Sequence, residues 1–264
     1  MTEADTYPEN VQQARTDVFN SLMLQTIIGT VVLVLILFFF REKPPKPPSS
    51  THAIVTGSLK EEIMVCLKEP ALVRLVVVFG LILGLMNTYG TIMGIVATQL
   101  GYSAANSSNF GAVFIVGGLV GSGVFGGIVE VKKNYKVVTS VISLLTAIFP
   151  IPLLFSLNSM NVIAVNFCCF ALGFASISIL PVGIDFGVEL THPVAESISS
   201  GLLMSVGNLV GIFTTLASSY LITALGDKGC NISQGILIGV AWLAAIISFT
   251  IKEDLKRLNE SRKN

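Results

Sequence analysis

Residues 71–97 read ALVRLVVVFGLILGLMNTYGTIMGIVA, with Arg74 the one charged residue in the run. A helix needs roughly 20 predominantly apolar residues to cross a hydrocarbon core of about 30 Å, and this stretch exceeds that length. Its apolar residues fall on every side of the helix they would form, not along one stripe. That is the pattern of a segment surrounded by lipid and by other spans, where every backbone group is satisfied within the helix.

Six further stretches follow the same rule: 22–40, 110–129, 137–157, 162–188, 198–225 and 236–251. The last is short and is expected to begin a few residues earlier. The whole composition agrees, with 52% hydrophobic and 12% charged residues and a mean hydropathy of +0.78, where soluble domains run near a quarter charged. The expected fold is therefore an all-α membrane protein of about seven transmembrane helices, with the lipid bilayer as its solvent. The formal net charge is zero, so no global basic field exists to attract nucleic acid.

Lys and Arg alternate between connections, and basic residues stay on the cytoplasmic side of a membrane. One set of connections collects Arg41, Lys43, Lys46, Lys60, Lys68 and Arg74, then Lys132, Lys133 and Lys136, then Lys252, Lys256, Arg257, Arg262 and Lys263; the other keeps Arg15 and Lys228. The loop around His192 has neither and takes its side from its neighbours. The bias predicts an outside N-terminus and an inside C-terminus. It divides the chain into an extracytoplasmic segment 1–21, a first span 22–40, a cytoplasmic linker 41–70, a six-helix body 71–251 and a cytoplasmic tail 252–264. The linker carries Pro44, Pro45, Pro47, Pro48, Ser49 and Ser50; consecutive prolines favour extended backbone and act as a spacer. Residues 1–20 are polar and acidic, unlike a secretory signal, so the first span is expected to serve as its own insertion signal. The sequons opened by Asn106 and Asn231 fall in connections assigned outside, and that of Asn259 on the tail.

Catalytic chemistry has little to stand on. His52 and His192 are isolated, no nucleophile lies beside a base, and Cys66, Cys168, Cys169 and Cys230 lack the spacing of a disulfide framework or a metal site. Buried structural thiols are expected, with Cys230 in a loop. No enzyme, cofactor or metal is expected.

The third span, GAVFIVGGLVGSGVFGGIVEVKKNYK (111–136), sets Gly117 with Gly121 and Gly123 with Gly127 in small-xxx-small register, which lets helices approach closely in lipid. It ends in Gly126, Gly127, Glu130, Lys132, Lys133 and Lys136. This ending resembles the glycine, acid and basic loop signature of major facilitator transporters, with Glu130 at the acidic position and lysines replacing arginines, so the bidentate fork becomes a point charge. The run LPVGIDFGVELTHPVAESISSGLLMSVGNLVG (180–211) is more specific. Through Pro181, Gly183, Phe186, Glu189, Leu190, Thr191, Pro193, Glu196, Ser199, Ser200, Gly201, Leu202 and Leu203 it resembles the feline leukaemia virus subgroup C receptor family of major facilitator transporters. The resemblance implies that the seven spans correspond to that family's helices six to twelve. Helices one to five would then form a missing N-terminal half, as for a fragment of a longer protein, with a genuinely truncated product as the other reading.

Charge depth separates gating from binding. Asp185, Glu189 and Glu130 lie at span ends, where a network with Lys132, Lys133 or Lys136 would form an inner gate, solvated helix-end charge being the alternative. At mid-span stand Asn87, Tyr89 and Asn208, the candidates for contact with a small-molecule solute. The resemblance implies a cavity role for Asn208, where the family carries glutamine. It also implies aromatics where Met86 and Asn87 stand; with Tyr89 the nearest ring here, an aromatic cage for a quaternary ammonium is not reproduced. The expected function is transport of a small organic solute by alternating access, choline-, ethanolamine- or heme-like by resemblance, in the plasma membrane or an organelle membrane. A seven-helix receptor and a non-transporting partial transporter acting as a partner are the alternatives. The long proline linker and the lack of a cysteine pair for an extracellular disulfide weigh against the receptor.

Overall fold

The computed structural model describes residues 7–40 and 59–252. The proline pairs, His52, Asn259 and the tail cations Lys256, Arg257, Arg262 and Lys263 lie outside the described residues. Among the described residues every regular element is a helix. Seven segments are long and apolar enough to cross a membrane: Arg15–Phe39, Pro70–Gln99, Ala104–Lys132, Tyr135–Asn158, Val162–Thr191, Glu196–Leu225 and Asp227–Phe249. The last begins earlier than its apolar run, as expected.

The chain divides into two units. In Met1–Ile54 the described element is α1 (Tyr7–Phe39), whose large apolar side chains from Val18 to Phe39 are exposed. The second unit, Val55–Asn264, holds the remaining helices. The stretch read as linker ends in one of them, α2 (Leu59–Lys68), with Glu61 and Glu62 in its first turn and Lys68 in its last, complementing the helix dipole at both ends. Then come α3 (Pro70–Gln99) and α4 (Ala104–Lys132), the latter capped by Ser103 Oγ, which accepts from the Asn106 N–H at 3.3 Å.

Two spans that read as continuous are broken by proline. Pro150 separates α5 (Tyr135–Ile148) from α6 (Pro150–Asn158), because it has no N–H to offer the Thr146 carbonyl. Pro181 does the same to the Ile177 carbonyl, which instead accepts from the Leu180 N–H at 3.1 Å. The span 162–188 therefore becomes α7 (Val162–Ser176) and α8 (Ile179–Thr191). The chain ends in α9 (Glu196–Leu225) and α10 (Asp227–Phe249).

Glycine sets the two closest helix pairs. A β-carbon added at Gly84 of α3 would lie 2.5 Å from Val210 Cγ1 and 3.0 Å from the Gly211 N, and one added at Gly80 would lie 2.8 Å from Val206 Cγ1. Gly207 of α9 faces Leu83 in return. The two helices run parallel. Between α4 and α7, added β-carbons at Gly117 and Gly121 would meet the carbonyls of Phe170 and Phe174, and one at Gly173 that of Phe114. Gly123 and Gly127 would meet nothing within 4 Å. Of the two glycine registers on α4, only the first is a packing face within this unit.

α3 threads both hydrophobic clusters, contributing residues up to Leu83 to one and from Leu85 onward to the other. At one end of the bundle Arg74 Nη1 donates to the Thr250 carbonyl at 3.0 Å, and Lys133 and Tyr135 line a cavity together with residues of α8 and α9. At the other, Asn158 Nδ2 donates to Asn231 Oδ1 at 2.9 Å. Two expectations change. Cys230 is in the first turn of α10, not a loop, and is 1% exposed; Asn106 and Asn231 likewise stand inside helices, near the starts of α4 and α10. All four cysteines are free and buried. Burial, with Glu62 nearby, raises the Cys66 thiol above its ordinary range.

Two measurements follow. Native thiols should resist an impermeant maleimide, so orientation is read from single cysteines at exposed positions. Lys228→Cys should label on intact cells and Lys132→Cys only after permeabilisation; the reverse pattern would invert the topology. In detergent, Gly117→Ala should lower the unfolding midpoint, since overpacking costs about 1–3 kcal/mol. Gly123→Ala should leave it unchanged or raised, because alanine gains roughly 0.5–1 kcal/mol over glycine in a helix. Equal effects would mean that α4 does not seat on α7 through Gly117.

Candidate functional site

The two sets of polar residues singled out in the sequence occupy different parts of the unit. Midway along the α3 and α9 pair, the Asn87 Nδ2 donates to Asn208 Oδ1 at 3.3 Å. Gly211 makes room for this contact, since a β-carbon there would lie 3.1 Å from Asn87 Nδ2 and 3.2 Å from Asn87 Cβ. The pair borders an open groove of about 410 Å³, lined by Asn87, Asn208, Gly211, Ile212, Thr215 and Leu216. Asn87 is half-buried and Asn208 exposed, so the amide pair is accessible without being loose. A donated N–H leaves the Asn87 carbonyl oxygen as acceptor and the Asn208 NH₂ as donor.

Behind the groove lies a hydroxyl cluster that sequence reasoning missed. Thr88 is fully buried; its Oγ1 donates to the Gly84 carbonyl at 2.9 Å and lies 2.6 Å from Thr214 Oγ1 and 3.1 Å from Thr215 Oγ1. The signal was present: Thr215 follows Asn208 by seven residues and so shares its helix face, and Thr88 is adjacent to Asn87.

Tyr89 does not join this group. It is 3% exposed and lines a small internal void with Gly90, Met93, Gly111, Phe114, Cys169 and Leu172, its hydroxyl without a hydrogen-bond partner. One helical step of about 100° from Thr88 turns it toward α4 and α7. The grouping of Tyr89 with the two asparagines is therefore corrected.

At the cation-rich end, a second cavity of about 480 Å³ is lined by residues that include Lys133, Tyr135, Asp185, Glu189, Glu196 and Ser200. It lies between the end of α4 and the α8–α9 turn. Lys133 closes α4 in a left-handed conformation, φ 54°, which aims it differently from its neighbours. Glu130 and Lys132 are exposed on the last turn of α4. Lys136 lines a separate apolar pocket with Val137, Ser140, Val141, Leu144 and Phe249. Of the three lysines, Lys133 is the one that lines the cavity of Asp185 and Glu189. The Tyr135 ring stacks on Phe186 at 5.6 Å between centroids and floors this end.

Residues 20–215 match the family model of the Major Facilitator Superfamily. The chain is 32% identical over 205 residues to the choline/ethanolamine transporter FLVCR1 of Mus musculus, covering 76% of this chain and 36% of that protein. It is 31% identical over 186 residues to the choline/ethanolamine transporter FLVCR2 of Homo sapiens, covering 70% and 35%. For the choline/ethanolamine transporter FLVCR2 of Rattus norvegicus the figures are 29% over 235 residues, 88% and 42%. The chain thus spans about a third of the length of the curated relatives it matches. The family model matches most of its residues: this chain belongs to the major facilitator superfamily, and over its matched part it is similar to transporters of the feline leukaemia virus subgroup C receptor type.

Proposed function

We propose that the chain forms the substrate-facing part of a carrier that moves a small, hydrogen-bonding organic solute across a membrane by alternating access. The observation that carries this reading is the Asn87–Asn208 amide pair, held 3.3 Å apart beside an open groove midway along two parallel spans. Exposed amides at that depth are costly in lipid, and a solute passing through would satisfy them. The relatives named as choline/ethanolamine transporters support a small amino alcohol as the solute class. Helices like the family's first five would close the groove from its open side and rock against this unit.

The cation-rich end supports a cytoplasmic placement under the positive-inside rule, with the outer end at Lys228 and a plasma membrane as the setting. There Lys133 with Asp185 and Glu189 would form the inner gate, closed in outward-facing states and parted in inward-facing ones. Glu130, Lys132 and Lys136 border that end without lining the cavity.

In cells expressing the protein, Asn208→Ala should raise the apparent Michaelis constant about five-fold with surface expression unchanged. That corresponds to the roughly 1 kcal/mol of a lost neutral hydrogen bond. Asn208→Gln, which keeps the amide, should transport at least as well as wild type. Lost expression with an unaltered Michaelis constant would make Asn208 a packing residue and sink the reading.

For the gate, Glu189→Gln should shift the protein toward inward-facing states, measured by accessibility of a cysteine at the cavity rim. Removing one member of a partly buried pair leaves the other uncompensated, so Lys133→Ala added to Glu189→Gln should change little more. Simple additivity of the two effects would show that no such pair exists.

A further inference from the structure

Three hydroxyls sit behind the amide pair, and each has one proton to give. Thr88 contacts the Gly84 carbonyl at 2.9 Å, Thr214 at 2.6 Å and Thr215 at 3.1 Å. Its one proton goes to the Gly84 carbonyl, which leaves Thr215 to donate the contact between Thr88 and Thr215. The Thr215 oxygen then keeps its lone pairs for the groove it lines. On the same wall, Asn87 has spent an N–H on Asn208 and offers its carbonyl oxygen. The described lining contains no ring: apart from the two amides and Thr215 it consists of Gly211, Ile212 and Leu216.

We propose that Thr215 is a ligand-contacting residue of this groove and Thr88 its positioning residue, together setting the groove to accept a hydrogen bond from the solute's hydroxyl. This rests on the transport reading above and adds to it a residue pair and a polarity. Asn208 presents the donor and Thr215 with Asn87 the acceptors, so a hydroxyl, which both gives and takes, fits where its methyl ether does not. Thr88 acts without touching the solute. It is buried at 0% exposure, and by consuming the Thr215 proton it fixes which way that hydroxyl faces. Without Thr88, the Thr215 proton is released to rotate into the groove, and the acceptor becomes a donor.

The test is competition for uptake of radiolabelled ethanolamine in cells expressing the protein, with unlabelled ethanolamine and its O-methyl ether as competitors. A site built to bond a hydroxyl rejects the analogue lacking its proton by roughly ten-fold or more. Thr215→Val should collapse that ratio to near one, and Thr88→Val should lower it several-fold. Thr215→Ser and Thr88→Ser should preserve it. Expression loss cannot mimic this pattern, because the ratio is read on surviving transporters. An unchanged ratio in Thr215→Val overturns the assignment of Thr215, and equal ratios in Thr88→Val and wild type overturn the role of Thr88. If neither compound competes in wild type, the solute class itself is wrong and both readings fall, which separates the two kinds of failure.

Discussion

In a bilayer no water lubricates or separates helices, so two spans approach as closely as their smallest residues allow. α3 and α9 show what this permits. Gly80 and Gly84 on one helix meet Val206, Val210 and Gly211 on the other, while Gly207 receives Leu83. The polar contacts between these two helices depend on that approach. A wider spacing would leave Asn87 out of reach of Asn208 and would separate Thr88 from Thr214 and Thr215. The hydrophobic effect does not draw helices together in lipid, so close van der Waals fit and a few interhelical hydrogen bonds contribute instead, and here they occur in the same place.

The α4 and α7 pair uses the same device with a different outcome. There the glycines lie against carbonyls of Phe170, Phe174 and Phe114, with the Ser178 hydroxyl beside Gly121; that hydroxyl donates to the Phe174 carbonyl of its own span, and the side-chain amide contact of this pair, Asn109 Nδ2 to Asn166 Oδ1 at 3.0 Å, lies near one end. One glycine-locked pair thus carries interhelical side-chain hydrogen bonds at mid-depth, whereas the mid-depth serines of the other bond to carbonyls of their own span. The unit divides its labour between a pair that faces an open groove and a pair that anchors it.

Much of this was legible in the chain itself. Span number and approximate position follow from hydropathy and length, because lipid leaves a spanning segment few ways to satisfy its backbone. The Asn87–Asn208 pairing was legible as a shared depth, and Asp185, Glu189 and the lysines as a shared end. Rotation about the helix axis was not. Tyr89 is two residues from Asn87 yet points into a different void; Gly123 is two from Gly121 yet meets nothing; Lys133 and Lys136 line different cavities. These differences arise from which neighbour stands on which side, and a nearly all-apolar helix has no amphipathic stripe to reveal that. The broken spans at Pro150 and Pro181 could have been read, since both prolines stand inside apolar runs; length alone concealed them.

The parallel alignment of α3 with α9 has a consequence for how such a chain can change over generations. Gly80 with Gly207, Gly84 with Gly211 and Gln99 with Gly226 keep one constant sequence offset along the whole contact. Loops between the two helices can gain or lose residues freely, because alignment is set by the notches and not by the intervening chain. A single inserted or deleted residue inside either helix is another matter. It would rotate everything beyond it by about 100°, slide it by about 1.5 Å, and place side chains where the notches were. Length variation among descendants of this sequence should therefore collect in the connections, leaving these two helices as a vernier whose graduations must stay matched.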